Sequence, residues 1–449
     1  MSEHKAIQAY LKTVAAQIRW KRARAVILPE LAQHLEDQRD AFAAEGCEHP
    51  DQLAVEEMGD PVPVGMELDR LHRPRAQWGL LCLTMAFVLL GTLLRIWLTQ
   101  EFAHPTVLYR TVTALVLGCG ALLLGYFFDC TYLARYSRGI YVLALGISLL
   151  TLFTSPIING VSYYTRYVIL GYPVIYALWL YSWRQKGWVG LIASLSGGIP
   201  LGLLCLMAPD RFGLLLLSMG MLVLTLWAAW KDWFGIGKGK SVASILSCAL
   251  LAAGAALWYA LSSPYLIQQV TTAFHPEQDP EGRGYRTLAI RTILDASQWM
   301  GTGTWSQNGT SLEQTLPEYD GAAFLTTLIH QIGWLPFLLV LCVFAALILW
   351  LFCRCLRQKS YLGKWVVFSV VLTLSVQACC SVLWSLGFPI LDAAFPLVIG
   401  NLNTVIYLWL IGLALSVFRG ERIVRDLPYE PKLHLPRYRL TITLQKISE

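Results

Sequence analysis

Residues able to do chemistry gather in one polar stretch of this 449-residue sequence. Glu318 and Asp320 stand near its end, and Arg283, Arg286 and Arg291 stand in its middle. A carboxylate can take the proton of an attacking hydroxyl, and a guanidinium can meet the charge of a phosphate. Arg286 and Arg291 are five residues apart, close enough to neighbour one another on a helix. Arg166 and Arg211 add positive charge at nearby span ends. A basic rim is also a common solvated surface, so residue type alone nominates this set without assigning it a task.

The stretch belongs to a membrane protein. Hydrophobic residues make up 56% of the chain and charged residues 14%, too apolar for a soluble multidomain protein. Apolar runs at about 78–99, 107–128, 139–156, 166–184, 188–207, 212–230, 242–262, 321–353, 364–387 and 391–418 are each long enough to cross a hydrocarbon core of about 30 Å. The expected fold is all-α and polytopic, with about ten transmembrane helices. Lys and Arg gather in alternate loops: Arg135 and Arg138, Arg184 and Lys186, Lys231 to Lys240, and Arg354 to Lys364. That alternation places the long loop, 263–320, outside and both termini in the cytoplasm. Residues 1–76 read as a small helical domain, with Ile7, Tyr10, Leu11, Val14 and Ile18 at helical spacing, a second helix from Pro29, and Gly46 as its stop. No cleavable signal peptide is visible, so the first span is expected to anchor the chain uncleaved. Residues 77–420 form the membrane domain and 421–449 a cytoplasmic tail.

Other polar residues carry blander readings. The eleven cysteines avoid the long loop, which argues against a disulfide framework. Consecutive His34, Glu36 and Asp37 point different ways from a helix and read as a solvated face rather than a metal site. His330, inside a span, reads as a satisfied histidine. Asn308-Gly309-Thr310 reads as a turn, and the tryptophans as an interfacial belt.

The loop also carries a motif. Pro264, Tyr265, Val270, Phe274, Pro276, Asp279, Pro280, Gly282, Gly284, Tyr285, Gly301, Gly303, Leu316, Pro317, Glu318, Gly333 and Trp334 fall in the order of the large extracytoplasmic loop of the FtsW/RodA/SpoVE (SEDS) family, which this chain resembles. Asn159-Gly160, Ala208-Pro209-Asp210 and the Gly412 to Arg419 segment match further family positions. Leu31, His34, Leu35, Glu36, Asp37, Gly46, Met58, Gly59, Asp60, Pro61, Val64 and Gly65 resemble the cytoplasmic prefix found ahead of some permeases and SEDS-like proteins.

The resemblance implies a ten-span bacterial plasma-membrane protein that polymerises glycan from lipid II in division, elongation or sporulation. It implies a single-span class B penicillin-binding protein as partner, and no nucleic acid. Such a polymerase needs a base, positive charge at the leaving diphosphate and a groove for lipid tails. Asp320 and Glu318 are the base candidates, Arg283, Arg286 and Arg291 the diphosphate ligands, and a divalent cation (Mg or Mn) the candidate cofactor. The chain also departs from the family. The family's catalytic Asp falls on Ala322, its intramembrane Glu and Lys fall on Ile175 and Leu178, and Ala296-Ser297-Gln298 replaces Ser-Gly-Gly. These losses keep alternatives open: a non-catalytic lipid II-binding or regulatory scaffold, or a transporter of lipid-linked precursors.

Overall fold

The computed structural model describes residues 5–74, 77–101, 105–158, 160–304, 312–316, 321–388, 391, 393–396 and 402–420. The head consists of α1 (Lys5–Gln17), α2 (Lys21–Ala44), α3 (Pro50–Met58) and α4 (Pro61–His72). Ile7, Tyr10, Val14 and Ile18 repeat on one helical face and pack against Ala23, Ile27, Leu35 and Ala54. α2 begins at Lys21 and carries Pro29 inside it, rather than starting there. Ala23 and Ile27 lie on the two preceding turns, and their burial holds those turns helical despite the N–H that Pro29 lacks. Gly46, at φ +78°, ends α2 by donating its N–H to the Ala43 carbonyl at 3.1 Å. Asp60 caps α4 by accepting from the Val62 N–H at 3.0 Å. His34, Glu36 and Asp37 are exposed.

Three spans follow: α5 (Trp78–Glu101), α6 (Pro105–Phe127) and, after the short α7 (Thr131–Arg135), α8 (Ser137–Thr154). A small hairpin, β1 (Ile157–Ile158) and β2 (Val161–Ser162), pairs Ile158 with Val161. The fourth crossing is broken into α9 (Thr165–Ile169) and α10 (Tyr172–Ser182). α10 is only about 16 Å long, too short to span alone. It is buried nearly all round, through Tyr172, Val174, Tyr176, Ala177, Leu178 and Leu180, which puts it at the centre of the bundle. The fifth crossing joins α11 (Gly187–Ser196) to α12 (Gly198–Met207), and α13 (Arg211–Trp230) and α14 (Lys238–Ser262) complete the first half.

A helical cap comes next, of α15 (Pro264–Phe274), α16 (Tyr285–Asp295), α17 (Leu312–Thr315) and α18 (Phe324–Ile332). The last spans are α19 (Trp334–Arg357), α20 (Tyr361–Ser385) and α21 (Leu402–Arg419). Among the described residues nine helices are long and apolar enough to cross a membrane. The broken α9–α10 crossing is the tenth expected span, so the chain is an all-α, multi-pass membrane protein.

The expected span 321–353 is two helices. Gly333 separates them at φ +106°, and a Cβ there would lie 2.7 Å from the Trp299 carbonyl oxygen. The last span starts at Leu402 rather than at 391. α6 and α21 approach to backbone contact: a Cβ on Gly125 would meet the Trp409 carbonyl at 2.6 Å, and Gly412 packs on the Leu122 carbonyl. α20 carries Ser369, Thr373, Gln377, Ser381 and Ser385 at every fourth position, all buried. All eleven cysteines are free thiols.

Candidate functional site

The cap is built around α16. Its approach is fixed by Asp279, whose carboxylate accepts from the Arg283 N–H at 3.0 Å and whose carbonyl accepts from the Gly284 N–H at 2.9 Å. Ile290 and Ile293 on one side of α16 pack with Leu312, Leu316 and Ala323, and the Tyr285 hydroxyl donates to the Thr315 carbonyl at 3.0 Å. The segment after α16 is clamped to the end of α18: Gly301 N–H donates to the Ile332 carbonyl at 2.9 Å and Gly303 N–H to the His330 carbonyl at 2.6 Å. The buried His330 ring leaves no room for a side chain at Gly303.

The loop arginines divide into two groups. Arg286 lies 5.4 Å over the Trp384 ring and Arg291 5.8 Å over Phe388, so both meet the cap-facing end of α20 and the turn after it. Arg283 turns instead to α15, 4.6 Å over the Tyr265 ring, and donates to Gln268 at 3.2 Å. Stacking fixes the face of each guanidinium and leaves its N–H edge available to an anion. Arg166 lies in α9, and Arg211 opens α13 behind the Asp210 cap.

Ala322 is tied to the same turn of α20. Its carbonyl accepts from the Ser385 hydroxyl at 3.4 Å, and the Thr326 hydroxyl donates to the Ser385 carbonyl at 2.8 Å. Ala322 is therefore a buried methyl group next to the turn that carries Trp384 and its stacked Arg286. Glu318 and Asp320 lie outside the described residues. Below this turn, Gln377 donates to the Ala394 carbonyl at 2.7 Å. Gln377 Oε1, Ser381 Oγ and Trp384 Nε1 are buried without a partner among the described residues. Buried polar atoms are normally satisfied, so these three mark where a polar group of a ligand or water would be held.

A narrow apolar crevice, of about 10 Å³, adjoins the same segment, lined by Phe87, Leu94, Phe324, Leu325, Leu328 and Phe395 among others. Residues 322–328 thus have a polar, arginine-bearing turn at one end and an apolar slot along their length. Sequence reading missed Trp384, Phe388 and the α20 polar stripe, although serine, threonine or glutamine at every fourth residue of an apolar run was a legible signal. Leu178 is buried in the core and Ile175 packs against it. Among the described residues no three His, Cys, Asp or Glu side chains converge to hold a metal ion.

Comparison with known proteins places this geometry. Residues 176–423 match the family model FtsW/RodA/SpoVE, described as cell cycle protein. The chain is 23% identical over 392 residues to a probable peptidoglycan glycosyltransferase FtsW of Xanthomonas oryzae pv. oryzae, across 82% of this chain and 77% of the relative. It is 25% identical over 244 residues to the protein of the same description from Idiomarina loihiensis, across 52% and 56%. In fold it resembles a chain of a solved peptidoglycan synthase complex, with a TM-score of 0.62 and 20% identity over 77% of this chain and 98% of that one. Thermus thermophilus rod shape determining protein RodA gives a TM-score of 0.52 at 18% identity, over 77% and 97%. The match of 176–423 spans more than half the sequence, and the chain belongs to the FtsW/RodA/SpoVE family of cell cycle proteins.

Proposed function

We propose that this protein acts in peptidoglycan synthesis at the outer face of the bacterial plasma membrane, polymerising glycan from lipid II with both termini in the cytoplasm. One observation carries the reading: residues 322–328 join an arginine-bearing polar turn to an apolar crevice, as a lipid-linked diphosphate requires. In this reading the lipid tail runs past the apolar mouth of the crevice and Arg286 and Arg291 neutralise the leaving diphosphate. Gln377, Ser381 and Trp384 meet polar groups of the substrate. Asp320, two residues before Ala322, serves as base for the acceptor hydroxyl, with Gly321 between them to redirect the chain. A divalent cation, Mg or Mn, bound to the diphosphate would share in neutralising it. The family names and the peptidoglycan synthase neighbour support a single-span class B penicillin-binding protein as partner.

The buried methyl group of Ala322, 4% exposed, favours a second reading, a scaffold that binds lipid II without turning it over. Purified protein is assayed for lipid II polymerisation beside Asp320→Ala and Ala322→Asp. The catalytic reading expects wild-type polymer and a loss of about 100-fold in Asp320→Ala. A silent wild type with an active Ala322→Asp establishes the scaffold. Silence of all three without lipid II binding refutes both.

A further inference from the structure

At the end of the bundle opposite the cap, two cations converge on one indole. Arg138 Cζ lies 4.9 Å and Lys186 Nζ 4.5 Å from the Trp183 ring centroid. Arg138 also donates to the Ser182 carbonyl at 3.4 Å. The Trp183 indole N–H is buried and has no partner among the described residues. Burial, and then the charge of Arg138, push the Lys186 ammonium below its ordinary pKa. Neither cation has a carboxylate partner among the described residues, so two like charges face each other unneutralised.

The loop that brings them together is held firmly. Gln185 occupies a left-handed conformation, φ +55°, which a non-glycine residue adopts only when its surroundings impose it. Its N–H donates to the Trp233 carbonyl at 2.9 Å, and Gly187 N–H to the Phe234 carbonyl at 2.9 Å. The Trp233 indole in turn donates to the Leu180 carbonyl at 3.3 Å. Beside the loop, α11 presents Val189 at 66% and Ile192 at 63% exposure, an apolar face for an acyl chain.

We propose that Arg138, Lys186 and the Trp183 indole N–H form a binding site for the phosphate of an anionic phospholipid, whose chain lies along Val189 and Ile192. Three donors meet one phosphate, and the neighbouring apolar face selects a lipid over a soluble phosphate compound. The site is separate from the lipid II reading and stands whether or not the protein polymerises glycan.

The test is native mass spectrometry and thermal unfolding of the full chain in detergent with dioleoylphosphatidylglycerol, dioleoylphosphatidylcholine or inorganic phosphate. The glycerol lipid is expected to be retained and to raise Tm, and 0.5 M NaCl to release it. Arg138→Gln with Lys186→Gln should weaken retention about 10-fold, and Trp183→Phe, which keeps the ring but loses the N–H, about 3-fold. Arg138→Lys should retain the lipid. Equal retention of the choline lipid, insensitivity to salt, or unaltered binding in the double variant would overturn the site. An equal Tm rise with inorganic phosphate would overturn the choice of a lipid. If the double variant does not fold, Trp183→Phe and the salt titration decide alone.

Discussion

α14 and α20 are both 25 residues long, with mean hydropathies of 1.9 and 2.2, yet 11% of an 18-residue apolar stretch of one and 61% of the matching stretch of the other is buried. Average hydropathy cannot distinguish them, but the placement of polar residues does. On α20, Ser369, Thr373, Gln377, Ser381 and Ser385 are all buried, and from this face Gln377 and Ser385 bond across to Ala394 and to the cap, while Ser369 and Thr373 bond within the helix. Past the buried Ser241 at its start, the half-buried Ser244 and the exposed Ser247 of α14 bond back to their own helix, to Lys240 and Ala243. In a solvent without hydrogen-bonding partners, a polar stripe must find a neighbouring element, whereas isolated serines can satisfy themselves locally. The stripe is therefore a better sign of the functional core than apolar content.

The contrast between core and peripheral spans is sharpest at glycines. Leucine at Gly125, on the α6–α21 contact, should cost about 3 kcal/mol or prevent a monodisperse product, because backbone atoms occupy its space. Leucine at Gly254 on α14, where nothing lies within 4 Å, should change stability by about 0.5 kcal/mol or less. Equal Tm losses in the two variants would break the comparison. Among the polar residues, Gln377→Leu leaves the Ala394 carbonyl without its donor and should destabilise by about 2 kcal/mol, against almost nothing for Ser247→Ala. Chemical unfolding in detergent reads both.

The smallest effect lies in the head. Burial would raise the Asp69 carboxyl, but the Arg19 N–H at 2.8 Å and the Arg73 guanidinium at 3.0 Å outweigh it and hold the folded pKa below 3.8. The stabilisation is therefore present above about pH 4 and disappears as pH falls through the lower folded value. Amide protection factors in α1 and α4 should fall over that range, and Asp69→Asn should remove the dependence.

The spans were legible because each is a long apolar run with charged loops between. Their internal breaks were not. Gly333 splits one expected span through a left-handed turn set by contact with Trp299, and only the fold reveals that contact. The fourth crossing breaks at Leu170–Gly171 because α10 sits where protein, not lipid, surrounds it. Arg286 and Arg291 were nominated from their spacing, but the aromatic rings that seat them come from the end of α20 and the turn after it, a distant part of the chain. Arg138 and Lys186 were read only as orientation signals, since nothing in sequence places both over Trp183.

The α6–α21 contact bears on the order in which the molecule is made. α6 enters the membrane as the second span, while its partner leaves the ribosome last among the spans. Until then the glycine face of α6 is open to lipid or to any transient helix flat enough to fit it. Closure of the bundle must therefore follow synthesis, and a chain interrupted before Leu402 would retain every cap helix yet lack the strut that fixes its second span.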